Sequence, residues 1–236
     1  MRQRIAGACL LALTTTLTGT GTQTPGGNGG SASIFEDAGQ VMQEVLKVPD
    51  DIPQDILNKA YCVVVIPSVV KTAFVVGSRY GRGVITCRSG GNFAGPWGPP
   101  AAMAVEGGST GFQIGGEGTD FLLLLMSERS VKAILTNKIK LGADASAAAG
   151  PTGHTASAAT DAAMRAEILN YSRSRGAFAG VSLEGSTLRP DNAANRNFYE
   201  KDVSAEAIVL KGEVKAPPSA RLLLETLDKK SPRRKS

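Results

Sequence analysis

Six cationic side chains are the residues best suited to chemistry in this 236-residue chain. Lys71, Arg79, Arg82 and Arg88 surround one predicted hairpin, and Arg173 and Arg175 follow in a later segment. A guanidinium offers a planar fork of donors that matches phosphate oxygens. Gly81 and Gly83, lying between these arginines, would let backbone N–H groups approach the same anion. The chemistry expected of the set is therefore contact with a phosphate-bearing anion, and its alternative is an ordinary solvated turn. Asp120, Asp144, Asp161 and Glu184 stand among glycines and alanines. Carboxylates so placed read as buried partners of Arg79 or Arg173, as turn caps, or as ligands of a hard cation. Trp97, flanked by glycine and proline, reads either as a lid over a sheet edge or as a membrane-interface anchor.

Reactive chemistry has little to work with. His154, Ser157 and Asp161 lie too close in sequence to make the geometry of a nucleophilic triad. Gly115-Gly116-Glu117-Gly118 lacks the Lys-Ser/Thr that completes a phosphate loop. A single histidine and no CxxC give no zinc set. The expectation is a protein that recognises and does not react, with no enzyme activity and no cofactor.

Charge narrows the partners. The formal net charge is +5, but Arg2, Arg4 and the tail residues Lys229, Lys230, Arg233, Arg234 and Lys235 supply seven positive charges, leaving 5 − 7 = −2 for the body. Nucleic-acid binding needs a sustained basic stripe, so no nucleic-acid partner is expected, while the tail could touch anionic surfaces weakly. Arg2 and Arg4 precede an uncharged stretch from Ile5 to Leu17, the layout of a signal peptide over residues 1–21. At thirteen residues that stretch is shorter than the ~20 that a membrane helix needs. Cys9 after Ala6-Gly7-Ala8 only faintly resembles a lipobox. Secretion to the periplasm, or peripheral association with the outer membrane, is the expected location. There Cys62 and Cys87, each in a predicted strand, either form a disulfide or remain buried thiols.

These side chains must be positioned by a domain spanning residues 33–228, after a Gly/Thr/Ser/Pro-rich linker at 22–32 and before a basic, disordered tail at 229–236. Ser33 and Glu36 form a capping box, and Ile34, Phe35, Ala38, Val41, Met42 and Val45 recur at helical spacing, predicting an amphipathic helix from Ile34 to about Lys47. Pro53 starts a second helix ending at Lys59. The run Cys62 to Ile66 is a buried strand. Thr72–Arg79 and Val84–Cys87 are predicted to pair about a turn at Tyr80–Gly83. Three further strands are expected around Met103–Val105, Phe112–Ile114 and Phe121–Leu125, separated by glycine pairs. Ser127 caps a helix. Ala166–Arg173 fits helix or strand, Gly176–Gly185 reads as a strand, and short helices fit 192–199, 204–211 and 219–228. The order gives an α+β single domain: a strongly curved antiparallel β-sheet or barrel-like core, with an N-terminal amphipathic helix and short peripheral helices.

Ile66-Pro67-Ser68-Val69-Val70-Lys71, Gly77 through Val84, Gly107-Gly108-Ser109, Gln113-Ile114-Gly115 and Thr119-Asp120 follow one another in register. Lys140 through Ser146, Ala149-Gly150-Pro151, Tyr171 through Gly176 and Phe178 through Gly185 complete the series. In this order the chain resembles the SYLF domain family, the yeast-type actin-binding SYLF family, over roughly Phe35 to Leu227. The resemblance implies a lipid-binding module: eukaryotic members bind phosphoinositides, and some bind actin. Plain bacterial members look secreted. It also implies lipid contact through the helix Ile34–Lys47, although its polar face here is mostly acidic or neutral. The function expected is non-enzymatic binding of anionic phospholipid or phosphoinositide head groups in the cell envelope. The alternative is a structural or protein-interaction domain with an envelope protein as partner, and actin binding carries less weight.

Overall fold

A computed structural model describes residues 33–47, 52–73, 76–110, 118–152, 165–174, 177–178 and 183–234. The signal-peptide and linker expectations, the Phe112–Ile114 strand, His154, Ser157, Asp161 and Arg175 lie outside the described residues.

One curled sheet organises the fold. Its strands are β1 (Cys62–Ala73), β2 (Val76–Cys87), β3 (Ala101–Thr110), β4 (Thr119–Leu125), β5 (Ile139–Lys140), β6 (Ala147–Ala149), β7 (Ile168–Ser174), β8 (Ala177–Phe178) and β9 (Thr187–Pro190). They run in the order β5-β9-β3-β2-β1-β4-β7-β6, with β8 on β7. Pairing is antiparallel except between β6 and β7, which is parallel. The sheet is covered on both faces, which is why β1 and β4 read as unbroken apolar runs rather than alternating ones. Val64, Ile66, Ile85, Met103 and Leu123 face one core with α3 (Glu128–Thr136) and α5 (Ala205–Val209). Val63, Val65, Val84, Leu122, Leu124 and Leu169 face another, with α1 (Ser33–Val45), α2 (Gln54–Lys59) and α6 (Arg221–Lys230). The short helix expected at 192–199 forms as the eight-residue α4 (Asn192–Tyr199).

Several boundaries differ from expectation, each for a local reason. No turn forms at Tyr80–Gly83, because β2 runs straight through it. A Cβ on Gly81 would lie 2.8 Å from the Val69 side chain, and one on Gly83 would lie 2.3 Å from the Val65 carbonyl oxygen. These glycines admit close approach of β1 rather than a reversal. Pro67 likewise does not end β1. It sits in a bulge, where the register against β2 shifts between Val65 and Val70 and Ser68 takes a φ of 49°. Gly107-Gly108 lies inside β3, with Gly107 against Ser186. The ambiguous segment near Arg173 is strand β7. Strand β9 had no expectation at all: four residues ending in proline carry little strand signal. Finally, α6 continues through Lys229 and Lys230 into a buried Ser231, so the described residues past Asp228, 229–234, are not a loose tail.

Helix α1 buries Phe35, Ala38, Val41, Met42 and Val45. Its four larger side chains contribute roughly 6–12 kcal/mol of gross transfer energy. Moving that face into a bilayer would return about the same burial and gain little, which corrects the implied lipid contact through the apolar face of this helix.

Candidate functional site

The structure disperses the expected cationic set. Arg79, on β2, is 8% exposed and donates to Ser186 Oγ at 3.1 Å; burial holds its pKa below the usual value. Arg82, three residues on, points to the opposite sheet face, where its side chain is 61% exposed, donates to Tyr80 OH at 3.1 Å and lies 3.6 Å from Asp191. Arg173, on β7, is 14% exposed and pairs with Glu44 of α1 at 2.6 Å. The Lys71 backbone opposes Arg79 in the β1–β2 ladder; its side chain lies outside the described residues. These groups do not converge on one anion, because alternation along β2 sends Arg79 and Arg82 to different sides.

Arg88 departs furthest from the expected role. It is 1% exposed, and its guanidinium donates to Ala60 O (3.2 Å), Ser231 O (2.9 Å) and Ser231 Oγ (2.6 Å) while stacking 4.2 Å from the Trp97 ring centroid. Burial pushes its pKa down to about 10, assisted by Arg234 and opposed by Asp228. A head group cannot reach it. Trp97 is correspondingly buried, with Nε1 donating to Ser231 O at 2.9 Å, so it is no membrane-interface anchor. Cys62 and Cys87 are direct cross-strand partners on β1 and β2 and form a disulfide.

Two surfaces emerge that the sequence did not single out. The first is a fixed cationic end. Ser231 is tied to Arg88 and Trp97 and donates to Asn58 Oδ1 at 2.7 Å, and Gln54 Nε2 donates to Lys230 O at 2.8 Å. Arg234 packs 4.3 Å over the Tyr61 ring and donates to Asn92 O at 3.0 Å. Exposed Lys59, Lys229, Lys230 and Arg233 are therefore carried on a rigid seat, with Asp55 and Asp228 the nearby carboxylates; Asp228 accepts from Trp97 N. Only the basic composition of the tail hinted at this.

The second is a groove of about 620 Å³ between α1, the β1 bulge and α4. Ile34, Val41, Pro67, Ala102, Ala194 and Phe198 give it apolar walls, and Asp37, Glu44, Asp120, Asp191 and Arg82 give it charge. Asp120 Oδ1 accepts from Ser68 N at 2.9 Å, which holds the bulge. Asp191 caps α4 by accepting from Ala194 N at 3.1 Å. Asp37 and Asp191 had no assigned role from sequence; the acidic polar face of α1 was the available signal. Of the other flagged carboxylates, Asp144 closes a turn by accepting from Lys140 N at 2.6 Å. Among the described residues, no three His, Cys, Asp or Glu side chains are grouped to hold a metal ion, and no helix is long and apolar enough to cross a membrane.

Residues 106–230 match the Ysc84 family model, described as "Las17-binding protein actin regulator". Protein YSC84 of Saccharomyces cerevisiae is 38% identical over 183 residues, covering 76% of this chain and 38% of its own length. SH3 domain-containing YSC84-like protein 1 of Xenopus laevis is 37% identical over 76% of this chain and 53% of its own. The Homo sapiens protein of the same name is 34% identical over 83% and 58%. This chain thus spans about two fifths to three fifths of the relatives it matches.

Proposed function

The chain belongs to the Ysc84 (SYLF) family, and from that premise we propose that it is a non-enzymatic binding module that docks on anionic membrane surfaces of the cell envelope. The observation that carries this reading is the anchoring of Ser231, which turns Lys59, Lys229, Lys230 and Arg233 into a fixed cationic end. Each cation near an anionic bilayer contributes about 1 kcal/mol, so four give on the order of 4 kcal/mol, enough for reversible, salt-sensitive adsorption without insertion. The Cys62–Cys87 disulfide supports placement in an oxidising compartment outside the cytoplasm. The head groups in view are phosphatidylglycerol, cardiolipin or a phosphoinositide.

Co-sedimentation with liposomes tests it. Phosphatidylglycerol or cardiolipin vesicles should retain the protein at low salt, neutral phosphatidylcholine vesicles should not, and ~0.5 M salt should release it. The triple variant Lys229→Glu, Lys230→Glu, Arg233→Glu should lose binding while melting like the parent. Equal recovery in the supernatant with every lipid would sink the reading.

A second reading, a protein-interaction domain, is favoured by the acid-lined groove. The family description and relatives such as LAS seventeen-binding protein 3 carry protein binding and actin regulation in their names. Actin co-sedimentation is its direct check.

A further inference from the structure

The groove between α1, the β1 bulge and α4 has the opposite charge to the cationic end. We propose that it docks an extended, lysine- or arginine-bearing segment of a partner protein, with the cations set against Asp37 and Asp120 and their aliphatic stems laid on Val41, Pro67 and Phe198. This is independent of membrane docking. Four carboxylates, Asp37, Glu44, Asp120 and Asp191, stand against Arg82 and Arg173. Arg82 lies beside Asp191 and Arg173 pairs with Glu44, so four carboxylates against two arginines leave the groove a formal surplus of two negative charges. Among the described residues Asp37 has no ion-pair partner, and Asp120 accepts a hydrogen bond from the neutral N–H of Ser68.

Electrostatics agree with the geometry. Burial, and then the neighbouring Glu36, hold the Asp37 carboxyl above its ordinary range. Burial raises that of Asp120 as well; the Ser68 N–H and Arg173 oppose the rise and Glu44 adds to it. Both carboxylates would be relieved by an incoming cation.

The layout favours a peptide over a single ion. Asp37 and Glu44 lie seven positions apart on α1, a rise of about 10 Å, Asp120 stands at the Glu44 end, close enough to feel its charge, and among the described residues no three such groups gather around one point. Ten ångströms is about three residues of extended chain, so basic residues two to four positions apart can reach both ends of the groove. The apolar walls suit the methylene stems of lysine and arginine, which pack while their charged heads stay at the rim.

The test uses the oxidised full chain, ¹⁵N-labelled, titrated with the fluorescein-tagged heptapeptide GKVRVKG and with its glutamate-for-cation analogue. Saturable anisotropy for the basic peptide alone is expected, with amide shifts confined to α1, Ser68 and residues 191–198. Asp37→Asn with Asp120→Asn should weaken it about tenfold or more, without lowering the melting temperature or changing vesicle binding. Unchanged affinity in that double variant would overturn the proposal, as would shifts only at the α6 end. So would identical perturbation by spermidine or phosphatidylethanolamine vesicles at equal concentration. Because the double variant leaves the cationic end intact, failure here and failure of the membrane reading are separate results.

Discussion

Arg82 and Arg88 are six positions apart in one strand and its continuation, yet one is a surface group and the other holds the interior together. Arg88→Met removes the donor to three oxygens and the ring contact to Trp97. A loss of about 1–3 kcal/mol is expected from the buried acceptors left without a donor, read by urea denaturation. Arg82→Ala, by contrast, should change stability by less than about 1 kcal/mol. Nothing near Arg88 in sequence announces this difference, because its main partner, Ser231, lies 143 residues away. The cationic composition of the site was legible, and the pairing that buries half of it was not. Asp120 offers a pH test at the same scale. Its folded pKa is raised, so the folded state holds the proton more tightly, and stability falls as pH rises from about 3.8 through the folded value. Asp120→Asn should therefore be the more stable form at neutral pH, with its advantage shrinking in acid, as followed by thermal melts across pH.

At the level of elements, the glycines decide how closely strands and helices meet. Gly83→Ala would drive a methyl into the Val65 carbonyl and Ile66, and a loss on the order of 3 kcal/mol is expected in chemical denaturation. Were Tyr80–Gly83 an exposed turn, as the sequence suggests, the same substitution would be nearly neutral. Strong periodicity made α1, α3 and the apolar runs of β1 and β4 legible in the sequence. Glycine carried two meanings, close approach or turn, and β9 was too short to signal. The Cys62–Cys87 link, closing a loop of 25 residues, should contribute about 3.5 kcal/mol by the chain-entropy account, lost in the Cys62→Ala, Cys87→Ala double variant and measured by denaturant midpoint.

Across the whole molecule, residues 229–234 belong to the body. Ending the chain at Asp228 would strip acceptors from Arg88 and Trp97 and leave a buried guanidinium uncompensated. The truncated protein should melt well below the parent. Combining truncation with Arg88→Met should cost less than the two effects added, since both break one network. The antiparallel, curled α+β plan was readable from element order alone, but the association of distant segments was not, since no local pattern encodes it. Helix α1 lies against α6 so closely that a Cβ on Gly39 would come within 2.9 Å of the Leu223 backbone. A ribosome making about 5–20 residues each second delivers α6 some 10–40 s after α1. Throughout that interval the strands can cover part of the oily side of the first helix, but the part that meets Leu223 and Leu227 stays bare, so the nascent protein is a natural client for a holding chaperone until that final helix is made.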